Sequence, residues 1–225
     1  MYAMSYRDAP AINQAMGRVY GHMMAAVLNS MLVSYLIGSS PELVQFFFTG
    51  IMKWIVIFAP LAFVFAVPFI LNSEIGRAGK VLTLHAFAAL MGLSFATIFV
   101  IFTMGSIVSA FMGAAVLFGT LSFYGYFTKK DLSGLGSLLF VGLIAIVIAS
   151  IINIFIGSTV MQMVISALAI IIFLGLTAYD TQQIREDLTT SDNLGIAEVT
   201  GALTLYLDFI NIFFLRKSSS LNSSR

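Results

Sequence analysis

Seven stretches of about twenty apolar residues, divided by short polar punctuation, run almost the whole length of this 225-residue chain. Each is long enough to cross a hydrocarbon layer about 30 Å thick as a helix. Lipid offers no hydrogen bonds, so a spanning segment must satisfy its own backbone, as a helix does. The stretches are 19–37, 53–71, 81–103, 107–127, 135–156, 159–180 and 197–215. With 60% of residues hydrophobic, 9% charged and a mean hydropathy of +1.01, too little polar surface remains to cover a soluble globule of this size. The expected fold is therefore an all-α integral membrane bundle of seven transmembrane helices.

The flanks divide the chain into three parts. Residues 1–18 carry Arg7, Asp8 and Arg18, lack the plan of a signal peptide, and are expected to be a cytoplasmic N-terminal tail. Residues 19–215 form the transmembrane domain, and the Ser-rich 216–225 is expected to be a disordered C-terminal tail. Pro60 and Pro68 lie inside the second span, where each frees a backbone carbonyl, so that span is expected to be bent. Gly113 and Gly119 in the fourth span allow close helix approach. Lys and Arg number seven on the side holding the N-terminus and four on the other, with Arg216, Lys217 and Arg225 dissenting. The positive-inside rule then places the N-terminus in the cytoplasm, and Asp180 at the cytoplasmic end of its helix. Short loops suit a multi-pass protein of a bacterial inner membrane.

Net charge is +1 without a basic cluster, which points away from nucleic acid. No cysteine is present, so disulfides, thiolate metal sites and cysteine catalysis are excluded. His22 and His85 have no second ligand at helical spacing and read as interfacial side chains. The methionines and phenylalanines read as packing and lipid-facing residues.

Two acids interrupt the last two spans: Asp180 in Gly175-Leu-Thr-Ala-Tyr-Asp-Thr-Gln-Gln-Ile-Arg185 and Asp208 in Leu203-Thr-Leu-Tyr-Leu-Asp-Phe-Ile-Asn211. A carboxylate at lipid depth costs about 2.5–3.5 kcal/mol on insertion scales and so faces water or a partner. If the polar run from Arg185 to Asn193 is the connecting loop and the last helix starts at about Ile196 to Val199, the two lie about 8 Å and about 13–18 Å inside antiparallel helices. Tilt and fraying can absorb that mismatch, so the two can meet. Neighbouring carboxyls in a low dielectric share a proton and titrate as a unit. Bridged by it they hold two helices together, and stripped of it they repel or admit a cation. Ca²⁺ wants about six to eight oxygens. Thr177, Thr204 and Asn211 stand one turn from the aspartates, with Asn153 as a further oxygen, which is enough for a transient stop completed by water. No tightly bound cofactor is expected.

The Leu-Tyr-Leu-Asp-Phe-Ile-Asn run, with Tyr179-Asp180, Gln183-Ile184, Lys129-Lys-Asp-Leu-Ser133 and Asn153-Ile-Phe155, resembles the transmembrane Bax inhibitor motif family from about Gly79 onward. The resemblance implies a central helix wrapped by the others. It also implies a pH-sensitive Ca²⁺ leak gated by a paired-aspartate sensor, Asp180 and Asp208, with Ca²⁺, protons and the lipid bilayer as partners. An arginine latch on that pair is a further implication. Arg77, in Asn72-Ser-Glu-Ile-Gly-Arg77, is a shifted candidate for it, and the prolines of the second span are another departure. A rival is a membrane interaction protein that modulates a membrane protease or another partner. An aspartyl intramembrane protease is a weaker match. Tyr179-Asp180 suits it, but Asp208 does not follow Gly-x-Gly, and no proline occurs after Pro68. No enzymatic activity is expected.

Overall fold

A computed structural model describes residues 8–71 and 73–222, with side chains at all of these except 68 and 217–222. Among the described residues every regular element is a helix: α1 (Ala9–Gly38), α2 (Pro41–Phe48), α3 (Met52–Leu71), α4 (Arg77–Phe95), α5 (Thr97–Ile101), α6 (Met104–Phe127), α7 (Ser133–Ile156), α8 (Thr159–Thr190) and α9 (Leu194–Asn222). Six segments are long and apolar enough to cross a membrane: α1, α4 continued by α5, α6, α7, α8 and α9. The pair α2 and α3, bent by 76°, makes up to seven.

Local chemistry sets the helix ends, and it moves several of the expected boundaries. α1 begins at Ala9, well inside the expected tail, because Asp8 caps it by accepting the Ala11 N–H and Pro10 sits in its first turn. The rest of that expected tail, residues 1–7, lies outside the described residues. The sharp bend falls at 49–51, not at Pro60 or Pro68. Gly50 takes a positive φ of 57° there, while α3 stays helical through both prolines. The polar run after Arg185 does not break α8, which continues to Thr190, leaving a turn of only Ser191–Asn193. Asn193 opens α9 by accepting the Ile196 N–H at 3.1 Å. At the other end α9 runs through Arg216 to Asn222, where a disordered tail was expected, and the Arg216 side chain lies across Gly113 of α6. The remaining residues of that tail, 223–225, lie outside the described residues.

The chain divides into two compact units, one of residues up to Ile107 with Leu188–Tyr206, the other Val108–Asp187 with Leu207–Arg225. In the first, Gly92 of α4 rests against the Ser30 backbone of α1, too close for a Cβ. The fully buried Tyr206 of α9 donates to or accepts from Ser30 Oγ at 2.7 Å and meets Phe87 edge-on. Lys80 is buried and donates to the Leu71 carbonyl at 2.8 Å, closing the C-terminus of α3 with a cation where the helix dipole favours one. In the second unit, Phe209 of α9 packs edge-on against Phe111 and Phe118 of α6. α7 ends at Gly157, whose φ of 69° and N–H to the Asn153 carbonyl stop the helix. Asn153 spends its side chain on that turn, accepting from Ser158 and donating to Gln162. Both polar atoms of its side chain are thus engaged at that turn.

α9 is the most buried of the spanning helices, 56% of its apolar window against 6–33% for the others. It packs on α1 and α4 in the first unit and on α6 in the second.

Candidate functional site: the aspartate pair of α8 and α9

With α8 ending at Thr190 and α9 starting at Leu194, Asp180 and Asp208 lie about 15 Å and about 21 Å along their helices from the turn. The offset is about one helical turn, within the two turns or less that the sequence implied. Both belong to the second unit, and their side chains lie within hydrogen-bond reach of each other. Asp208 is 5% exposed and Asp180 half-buried. One oxygen of Asp208, Oδ2, is buried without a hydrogen-bond partner.

That geometry has a chemical requirement. An ionised carboxylate only accepts hydrogen bonds, so two of them can bond to each other only if one carries a proton. The alternatives are two buried charges side by side, or a cation between them. Each is costly unless compensated, and the unpartnered Oδ2 marks where compensation by proton, water or ion would act.

The surroundings hold the α8 side of the pair firmly. Gly125 of α6 faces the Ala178 carbonyl so closely that a Cβ could not fit, and Gly136 of α7 takes the Tyr179 ring in the same way. The Thr181 hydroxyl, fully buried, meets Ser122 Oγ at 2.9 Å and donates to the Thr177 carbonyl. Gln182 accepts the Leu132 N–H at 2.9 Å and donates to the Lys130 carbonyl at 2.8 Å, tying α8 to the turn before α7. A small residue on α6 thus lets α8 approach to backbone distance, one on α7 makes room for the Tyr179 ring, and polar contacts fix the register of α8 there. Those small residues were visible in the sequence, but which of them faced α8 was not.

Of the remaining candidate ligands, Thr177 is buried and donates to the Phe173 carbonyl, and Thr204 donates to the Thr200 carbonyl. Both hydroxyl hydrogens are used within their own helices, leaving oxygen lone pairs. Asn211 is half-buried one turn beyond Asp208. Among the described residues no group of three or more His, Cys, Asp or Glu side chains is arranged to hold a metal.

The candidate latch has another partner. Arg77 Nη2 lies 2.8 Å from Glu198, and Arg18 reaches the same carboxylate through Nε at 2.7 Å. Glu198 is 1% exposed, and His22 stands within electrostatic reach of this cluster. The carboxylate ties α1 and α4 to α9 inside the first unit. Sequence reasoning missed it. The available signal was an acid near the start of the last span, where an insertion cost as large as that of Asp208 demands a partner.

Comparison with known proteins agrees with the run of residues around Asp208. The family model described as inhibitor of apoptosis-promoting Bax1 matches residues 12–216. The Escherichia coli inner membrane protein YbhL is 38% identical over 206 residues, covering 89% of this chain and 88% of its own. An uncharacterized protein of Borreliella burgdorferi is 36% identical over the same length and shares. One of Deinococcus radiodurans is 34% identical over 203 residues, 88% of this chain and 86% of its own. On the match of nearly its whole length, and on an all-helical membrane fold, the chain belongs to the Bax1 inhibitor family.

Proposed function

We propose that this protein is a pH-sensitive Ca²⁺ leak pathway of a bacterial inner membrane, with Asp180 and Asp208 as its sensor and its N-terminus in the cytoplasm. The observation that carries the reading is the contact between two carboxyls, one with a buried, unpartnered oxygen, on two spanning helices. A proton between them bridges α8 to α9. Its loss replaces a hydrogen bond with like-charge repulsion, or exchanges the proton for a cation, and either changes how the helices hold together. Thr177, Thr204 and Asn211 offer oxygens one turn away, so Ca²⁺ would be coordinated in passing and completed by water. Ca²⁺ is cargo here, not a resident cofactor, and no catalytic role is assigned.

A second reading is a membrane interaction protein that binds and modulates a membrane protease or another partner. It is favoured by α7, only 6% buried, which offers lipid or a partner a broad apolar face.

Reconstitution separates the two. Proteoliposomes loaded with a Ca²⁺ indicator are followed across a pH series for the native chain, Asp180→Asn and Asp208→Asn. The leak reading expects a flux that varies with pH in the native chain and loses that variation in both variants. A flux blind to pH, or one unchanged in the variants, rejects the sensor. No flux at any pH leaves the interaction reading.

A further inference from the structure

The short helix α2 has no place inside the bilayer. α3 is a 20-residue helix, about 30 Å long, which by itself fills the hydrocarbon thickness. α2 meets it at 76°, so with α3 crossing, α2 runs close to the membrane plane. Only Thr49–Ile51 joins them, a reach of about 10 Å, which keeps α2 at the boundary where α3 enters.

Its construction fits that position. The helix is closed at both ends by its own hydroxyls: Ser40 accepts the Leu43 N–H, and Thr49 donates to the Gln45 carbonyl. At 100° per residue, Glu42, Gln45 and Thr49 share one face, Val44, Phe47 and Phe48, all half-buried, hold the opposite one, and Leu43 and Phe46 lie exposed on the flank between them. None of its residues is buried. The exposed apolar surface runs on past the helix: Phe46 is 59% exposed, Ile51 78% and Trp54 53%. Lys53 Nζ stands 5.0 Å over the Trp54 ring. An aromatic ring and a lysine together at the entrance of a spanning helix are the groups that settle at headgroup level, the ring in the boundary and the ammonium at phosphate.

We infer that α2, with Lys53 and Trp54, is a membrane-surface anchor: a helix lying in the boundary between headgroups and acyl chains, its exposed apolar flank of Leu43 and Phe46 covered by phospholipid. This assigns the bent pair to one surface helix followed by one complete span, and not to a broken span or a re-entrant loop.

The chain supplies its own probes, since it has one tryptophan and no cysteine. Nitroxide is attached at Gln45→Cys and, separately, Phe46→Cys, in proteoliposomes of phosphatidylethanolamine and phosphatidylglycerol. Collision rates with oxygen and with a water-soluble nickel chelate are compared. The anchor expects oxygen to dominate at 46 and nickel at 45. Trp54 fluorescence in the unsubstituted chain is expected to be quenched more by lipids brominated near the headgroup than by lipids brominated near the chain ends. Three results each overturn the inference: nickel dominant at both sites, oxygen dominant at both with Trp54 quenched most by deep bromines, or spin–spin broadening at 46 that reports a second copy seated on the helix.

Discussion

Glu198 offers a prediction whose sign runs against simple counting of ion pairs. Its carboxylate is 1% exposed, while the side chains of Arg18 and Arg77 are 32% and 56% exposed. Removing Glu198 strands two cations that can turn to water. Removing both arginines strands an anion that cannot. An uncompensated buried charge costs about 3–5 kcal/mol, so Arg18→Ala/Arg77→Ala is expected to destabilise by about that much. Glu198→Gln keeps the shape and one acceptor oxygen. Its loss is that of two charge-assisted hydrogen bonds, offset by rehydration of the arginines, and amounts to about 1–2 kcal/mol. Adding Glu198→Gln to the double variant should therefore restore stability. The assay is equilibrium unfolding of the purified protein in one fixed mixed-micelle composition, with all four forms measured side by side. If Glu198→Gln costs as much as the double arginine variant, or worsens it when combined, the carboxylate is not the buried member of the cluster and the reasoning fails.

Other expectations follow from single contacts. Gly125→Ala sets a Cβ against the Ala178 carbonyl, where only separation of α6 from α8 gives room. It should cost about 1–3 kcal/mol, whereas Gly119→Ala in open space should be neutral or stabilising, both read by thermal unfolding. Tyr206→Phe removes a buried hydroxyl bonded to Ser30, which keeps its bond to the Ala88 carbonyl, and should cost about 1 kcal/mol in the same measurement. At the start of α7, hydrogen bonds from the Ser133 side chain and backbone N–H hold the Asp131 carboxyl below the usual aspartate range. Because its proton binds more weakly in the folded state, its stabilising effect is present above the ordinary aspartate value and is lost as pH falls through the lowered one. The Ser133 amide resonance, followed by NMR on acidification, should titrate below the ordinary value and cease to titrate in Asp131→Asn.

The class of fold was legible because lipid leaves so little choice: hydropathy and stretch length alone gave a helical membrane bundle. Boundaries were less so. A polar run such as Arg185–Thr190 reads as loop on hydropathy, yet a helix can project beyond the membrane and keep its hydrogen bonds in water, as α8 does. Prolines suggested the bend of the second span, but the backbone turned at Gly50, where a positive φ costs least. The two aspartates stood out because each is expensive in an apolar segment. Their closeness needed the length of the turn between α8 and α9, which hydropathy overestimated. Arg77 was read as a cation for the aspartate pair, whereas its partner is Glu198 near the start of α9, which the sequence reading passed over.

The claim on which the functional account rests is that Asp180 and Asp208 hold one proton between them. Infrared difference spectroscopy of the membrane-reconstituted protein, recorded across a pH titration, observes that proton through the carbonyl stretch of a protonated carboxyl. The account predicts one such band at neutral pH, shifted in Asp180→Asn and in Asp208→Asn and absent when both are replaced. A neutral-pH spectrum with no protonated carboxyl, or a band that persists unchanged in the double variant, would contradict it.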